Sequence, residues 1–300
     1  MYKVGMSTRT LTEENLYEIK KAGIDAIEVC VPAAENKKIN FIELKKIAEK
    51  TGIMLWSYHL QFMNSPEISN IDISNQNKAE RELAIKHQSE LIKRGAEAGI
   101  DKFVIHPCSY EPITEDIREE KIKCSLDSLA ALSDVADICG GVIAVEDLPR
   151  TNLCNTTEEM LHFMNENDKL RICFDTNHLL KGEYVDFIKK LGDKIITMHV
   201  SDYDFVNERH WLPGEGLIDW AMFMDEFEKI GYQGVWMYEI GLRTPMGVSR
   251  ERNLTYEDVY KNAKSIFKKE KPWIIGKMQE NIDIGYYPGY EDIIKNKYIW

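Results

Sequence analysis

Three hundred residues, 44% of them hydrophobic, can build a sizeable core and exceed the usual single-domain length of roughly 100–200, a range that α/β barrels of about 250 residues regularly pass. Fifty acidic against 38 basic residues leave a formal charge of −12, which opposes nucleic acid and anionic membranes, since both select clustered Lys and Arg. No apolar run approaches about 18 residues, "MYKVGMSTRT" lacks the apolar stretch of a signal peptide, and Cys30, Cys108, Cys124, Cys139, Cys154 and Cys173 form no CxxC pair, so a cytoplasmic protein with reduced thiols is expected.

In chain order, apolar runs alternate with helical patterns. "YKVGM" (2–6) precedes "TEENLYEIKKAG" (12–23), where Thr12 suits an N-cap, acids fill the first turn and Gly23 ends the helix. "AIEVCV" (26–31) precedes "FIELKKIAEKTG" (41–52), and "IMLWSYH" (53–59) precedes the long amphipathic "NKAERELAIKHQSELIKRGAEAG" (77–99). Then come "KFVIHP" (102–107), "VIAVED" (142–147) with "TTEEMLHFMNEN" (156–167), and "LRICFD" (170–175). "IITMHVS" (195–201), "DWAMFMDEFEKIG" (219–231) and "GVWMYEI" (234–240) complete the series. The eight apolar runs are short, continuous and rich in Val and Ile, as buried parallel strands are.

Strand-then-helix units repeated eight times predict an α/β fold, a closed (β/α)₈ TIM barrel. A doubly wound open sheet is the competing fold, but the first turn, "GMSTRT", carries no G-x-G-x-x-G. The barrel is expected over residues 1–270. The remainder, 271–300, begins "KPWIIGKM" and is too apolar and aromatic for a free tail; it is expected to pack on the barrel exterior or on a partner subunit.

The strand ends are polar. His59, His106, Glu146-Asp147, Asp175, His199 and Glu239 stand at or just before the ends of six runs. In a closed barrel these ends meet at one face, where active sites sit. Glu146, Asp175, His199 and Glu239 would then offer three carboxylates and an imidazole to a common point. Clustered carboxylates resist ionising unless a cation lies between them. Ligands rich in oxygen with one nitrogen favour Mn²⁺ or Mg²⁺, with Co²⁺ or Zn²⁺ as alternatives. In "ERHWLPGEG" (208–216), Pro213, Gly214 and Gly216 impose a turn suited to a lid or rim, and Trp211 and Tyr203 could stack on the apolar face of a sugar.

The ordered stretches "VEDLP" (145–149), "FDTNH" (174–178), "MHVSDYD" (198–204), "ERHWLPGEGLIDW" (208–220) and "YEI" (238–240) resemble the xylose isomerase-like barrel family, which holds sugar isomerases and epimerases and an endonuclease IV branch. The resemblance covers nearly the whole chain to about residue 270. It implies that Glu146, Asp175, His199 and Glu239 are the metal ligands, for one divalent ion, with Mn²⁺ expected first on the ligand chemistry above. In the family's ketose 3-epimerases the two ligand glutamates are also acid and base, a role that falls to Glu146 and Glu239. His178 would contact substrate oxygens, as would an arginine after the seventh strand, here Arg209, which stands farther from His199 than the family's arginine does. His59, His106, His210 and Trp211 complete the candidate substrate contacts.

Removing a proton next to a ketone leaves an enediolate, whose charge a divalent cation offsets by several kcal/mol. Return of the proton on the opposite face is epimerisation; return to the adjacent carbon is aldose–ketose isomerisation. The expected partner is a small sugar or sugar derivative, with no nucleic acid and no membrane, and a homo-oligomer is left open. Two alternatives share the ligands. One is an endonuclease IV-like multi-metal phosphodiesterase, with His59, His106, His178, Glu208 and His210 as extra ligands. The other is an inosose dehydratase-like lyase that expels a hydroxyl. "GLRTPMG" (241–247), with Arg243, reads as a solvated turn before a phosphate cradle.

Overall fold

The structure is a computed structural model and describes residues 2–64, 71–180 and 183–279. The apolar runs form eight strands: β1 (Lys3–Thr8), β2 (Ala26–Val29), β3 (Met54–His59), β4 (Lys102–Ile105), β5 (Val142–Glu146), β6 (Arg171–Asp175), β7 (Ile195–His199) and β8 (Val235–Tyr238). They pair in parallel in the order β7-β6-β5-β4-β3-β2-β1-β8. A parallel bridge between Val200 and Tyr238 joins the two ends and closes the ring. The expected (β/α)₈ barrel is the fold.

Nine helices are present among the described residues: α1 (Glu13–Lys21), α2 (Ala33–Asn36), α3 (Phe41–Thr51), α4 (Lys78–Glu97), α5 (Glu115–Ile138), α6 (Thr157–Glu166), α7 (Tyr184–Leu191), α8 (Trp220–Phe227) and α9 (Tyr256–Phe267). Their starts are chemically marked. Thr12, Asn40, Asn77, Thr156, Asp219 and Thr255 each accept a backbone N–H of the first turn through the side chain. Such a cap contributes about 1 kcal/mol by satisfying an orphan donor. Gly52 ends α3 at φ 71°, a left-handed conformation that costs glycine nothing.

The longest helix, α5, lacks an obvious apolar stripe because serines share its inner face. Ser125 Oγ donates to Pro107 O, and Ser128 Oγ to Ile73 O, both at 2.7 Å. Leu129, Leu132 and Ala136 supply the apolar part of that face.

Continuous apolar strands are explained by two covered faces. Outward residues such as Ile27, Phe103, Ile143, Phe174 and Trp236 pack against the helices. Inward residues fill the barrel: Ala26, Val235 and Met237 with Met54 and Trp56 in one cluster, and Val104, Ala144 and Cys173 with Ile196 in another. Gly5 of β1 belongs to this interior. A Cβ there would lie 2.5 Å from Val235 Cγ1 and 2.7 Å from Met237 Cε. Gly5→Val is therefore expected to overpack the barrel and cost about 1–3 kcal/mol. Urea unfolding measures it, and an unchanged midpoint would mean the interior has room.

The described part of the C-terminal extension turns back over the barrel. Trp273 N–H donates to Ser265 Oγ, and Trp273 O accepts from Asn262 Nδ2, both at 2.8 Å. A short strand, β10 (Gly276–Met278), pairs antiparallel with β9 (Val248–Arg250). The rest of the extension, 280–300, lies outside the described residues. No described helix is long and apolar enough to cross a membrane, and all six cysteines are free.

Candidate metal centre

His59, Glu146, Asp175 and His199 are the last residues of β3, β5, β6 and β7, while His106 and Glu239 come directly after β4 and β8. Parallel pairing sets Asp175 beside His199 in register. The strands thus deliver these side chains to one end of the ring.

His199 Nδ1 is the hub. It lies 3.1 Å from Glu146 Oε1, 3.3 Å from Glu239 Oε2 and 3.8 Å from Asp175 Oδ2. One ligand atom from each of Glu146, Asp175, His199 and Glu239 lies within 4.8 Å of all the others. Of four further such groups among the described residues, two share His199 with this one and two flank it: His59, His106 and Glu146, and His178, Glu208 and His210. In the first, His59 Nε2 and His106 Nε2 are 3.1 and 3.2 Å from Glu146 Oε2. In the second, His210 Nε2 is 3.1 Å and His178 Nε2 3.8 Å from Glu208 Oε1.

The ring orientations suit cation binding. His59 Nδ1 contacts Leu60 O at 2.9 Å, His178 Nδ1 contacts Asp147 O at 2.7 Å, and His210 Nδ1 contacts Glu239 O at 3.1 Å. A carbonyl can only accept, so each Nδ1 carries a proton, and Nε2, which faces a carboxylate, is the nitrogen open to an ion once its own proton leaves. Arg150 pins Glu208, with Nη2 2.6 Å from Oε2, and also donates to Asn207 Oδ1 at 2.9 Å. Glu146 Oε2, Asp175 Oδ2 and His178 Nε2 are buried without a hydrogen-bond partner. Orphaned buried ligand atoms of this kind are what a divalent cation would satisfy, so the residues fit the metal that their chemistry suggests.

Without an ion, protons serve in its place. Burial tends to raise the Glu146 carboxyl, but His199 and His106 outweigh it and hold Glu146 well below the usual carboxylate range. Burial pushes Asp175 up to about 7 against the pull of His178 and His210. Burial disfavours charge on His210, yet Glu208 and Glu239 raise it to about 9. His178 and His199 are likewise lifted well above the ordinary imidazole range, against burial, by the acids around them. An ion needs the lone pairs those protons occupy. Metal uptake is therefore expected to release protons, and apparent affinity to rise with pH as the imidazoles deprotonate. Titration calorimetry in two buffers of different ionisation enthalpy checks this; equal heats would contradict it.

The remaining predicted residues lie apart from the ligand groups. Arg209 donates through Nε to Asp204 Oδ2 at 2.9 Å, and its backbone N–H reaches Asn177 Oδ1. Trp211 and Tyr203 have no exposed ring face. The Trp211 indole N–H donates to Met246 O, and the Tyr203 hydroxyl to Leu179 O. A packing role replaces the stacking role expected of both. The loop around them is a pinned rim. Asp202 accepts from the N–H groups of Tyr203, Gly214 and Ile218 and from the Trp220 indole. Glu215 is clamped by Arg250, at 2.7 Å from Nε. Arg250 also donates to Arg243 O, which ties down the 241–247 turn.

Three residues at the mouth escape sequence reasoning. Phe62 packs with tilted rings at 4.8 and 4.9 Å (ring centroids) against His59 and His106, and Tyr110 stands edge-on to His106 at 5.1 Å. An aromatic shortly after a strand end is their only signal. Glu28, fully buried on β2, lies 2.9 Å from His199 Nε2. Its signal is a lone charge inside the apolar run "AIEVCV".

Comparison with known proteins gives this geometry a family. A 24% identical relative, an uncharacterised protein of Methanocaldococcus jannaschii, aligns over 186 residues, 59% of this chain; the match spans under two thirds of that relative, 64%. A D-psicose 3-epimerase of Enterocloster bolteae is 25% identical over 234 residues, 74% of each chain. The crystal structure of a D-tagatose 3-epimerase-like protein superimposes with a TM-score of 0.69 at 21% identity, covering 89% of this chain and 96% of that one, and so shares the fold. The family model described as xylose isomerase-like TIM barrel matches residues 16–266, so the chain belongs to that family.

Proposed function

We propose that this protein is a divalent-metal-dependent sugar isomerase or epimerase, working in the cytoplasm with Mn²⁺ as the preferred ion. The observation that carries the reading is the meeting of Glu146, Asp175, His199 and Glu239 within 4.8 Å at the barrel mouth. A bound divalent ion would offset the negative charge that develops on a sugar carbonyl during proton removal. We assign residues 1–270 to the catalytic barrel and 271–300 to an extension.

The chain's own residues supply the proton chemistry. Glu146 and Glu239 come from β5 and from beyond β8, three strands apart around the ring, so their carboxylates reach a substrate from different sides. Burial raises Glu239, but His199 and His210 outweigh it and leave the carboxyl below its ordinary range, so both glutamates can act as base. His178, His59, His106 and His210 are the candidates to hold sugar hydroxyls, and Arg209 and Trp211 support the rim behind them. Phe62 and Tyr110 offer a carbon face. The test is a panel of free and phosphorylated ketoses with Mn²⁺ in D₂O. Deuterium wash-in at one carbon with epimer formation supports the reading; no exchange with any sugar would refute it.

One observation favours a second reading. The flanking groups give the mouth room for more than one cation, an arrangement that suits phosphoester hydrolysis. The charge of −12 and the carboxylates facing Arg150 and Arg209 weigh against a nucleic-acid substrate. Elemental analysis of the loaded protein, with assay on an abasic-site duplex, separates the readings: several ions per chain with strand cleavage would replace the epimerase.

A further inference from the structure

We infer that Glu28 is a positioning residue that selects which nitrogen His199 presents to an ion, with Ser57 holding Glu28 in turn. The inference rests on the metal-site part of the function proposed above. His199 differs from His59, His178 and His210, each of which has one ring nitrogen against a backbone carbonyl. Its outer nitrogen, Nε2, faces a side-chain carboxylate instead, at 2.9 Å from Glu28 Oε1. Neither atom has a hydrogen bond, so the two meet as a close charge contact. The other Glu28 oxygen accepts from Ser57 Oγ at 2.8 Å.

Glu28, Ser57 and His199 are all fully buried, out of reach of bulk water. A buried carboxylate needs donors. The hydroxyl of Ser57 is one, and a proton on His199 Nε2 is the other. With that proton on Nε2, Nδ1 keeps its lone pair, and Nδ1 is the atom among Glu146, Asp175 and Glu239. A carboxylate behind a ligand imidazole also makes the ring a stronger donor, and removing such a partner typically weakens metal affinity about 10–100-fold. The chain of contacts runs from β3 through β2 to β7, so strands far apart in sequence set one tautomer.

The test reads the ion, not turnover. Mn²⁺ binding is followed by the electron paramagnetic resonance of the free ion, and the His199 ring nitrogens by ¹⁵N–¹H correlation in the Zn²⁺-loaded protein. Glu28→Met, of similar size but apolar, is expected to weaken Mn²⁺ about 10–100-fold and to turn the His199 tautomer into a mixture. Glu28→Gln, whose amide oxygen still accepts from Nε2–H, is expected to restore the single tautomer and most of the affinity. Ser57→Ala is expected to give a smaller loss of the same kind, and it decides the question if Glu28→Met does not fold. Wild-type affinity with an unchanged His199 signature in Glu28→Met, or in Ser57→Ala where that variant must serve, overturns the inference. Sugar turnover is scored separately. Mn²⁺ bound without regard to Glu28 removes this inference and leaves the epimerase, while Glu28-dependent binding without turnover of any sugar does the reverse.

Discussion

Glu146→Gln and Glu239→Gln are each expected to lower sugar turnover by about 10²–10⁴-fold, the usual worth of a positioned acid or base. The two losses should differ in kind. Inversion needs one carboxylate to take the proton and another to return it from the opposite face. With one glutamine in place, the epimer whose C–H faces the surviving carboxylate can still lose its proton and recover a deuteron from D₂O without inverting. The other epimer cannot. Glu146→Gln and Glu239→Gln should therefore exchange opposite members of an epimer pair. ¹H NMR of both epimers with each variant reads this directly. Metal content is measured alongside, because each amide is also a weaker ligand than the carboxylate it replaces. Loss of exchange from the same epimer in both variants would remove the two-base assignment.

Removal of metal is expected to abolish turnover and to lower stability together. A ligand that binds the folded but not the unfolded chain stabilises it by about 2.7 kcal/mol at a hundredfold excess over its dissociation constant. The effect should be visible here because Glu146 and Asp175 carry buried oxygens with no hydrogen-bond partner. Chelator-treated protein should melt lower, and Mn²⁺ should raise Tm in a concentration-dependent way until the site fills. Asp175→Asn should blunt that rise. A Tm indifferent to chelator and to Mn²⁺ would mean that protons alone satisfy the cluster.

Much of this architecture is legible in the amino-acid sequence, for a physical reason. Parallel strands covered on both faces must be apolar throughout, so the eight runs stand out, and barrel closure then brings their polar ends together. His59, His106, Glu146, Asp175, His199 and Glu239 are readable because each interrupts an apolar run where a strand must stop. The helix α5 is less legible. Ser125 and Ser128 sit on its buried face and spend their hydroxyls on backbone carbonyls, which hides the apolar period. The rim shows its glycines and aromatics in the sequence, but its rigidity comes from buried carboxylates. Asp202 and Glu215 gather donors that only the folded loop supplies. Trp211 and Tyr203 are filled in by that same packing. Glu28 hides for the opposite reason to the ligands, since it lies within a run and its partners come from β3 and β7. The two flanking groups are equally hidden in the linear chain: Glu208 reaches His178 and His210 because Arg150, remote in sequence, holds its other oxygen.

The most direct measurement is X-ray diffraction from crystals of the Mn²⁺-loaded protein, with the ion located by its anomalous scattering. An ion in contact with Glu146, Asp175, Nδ1 of His199 and Glu239 is the predicted result. Four side chains that stay joined to one another with no ion among them, or an ion held only by His178, Glu208 and His210, would contradict it.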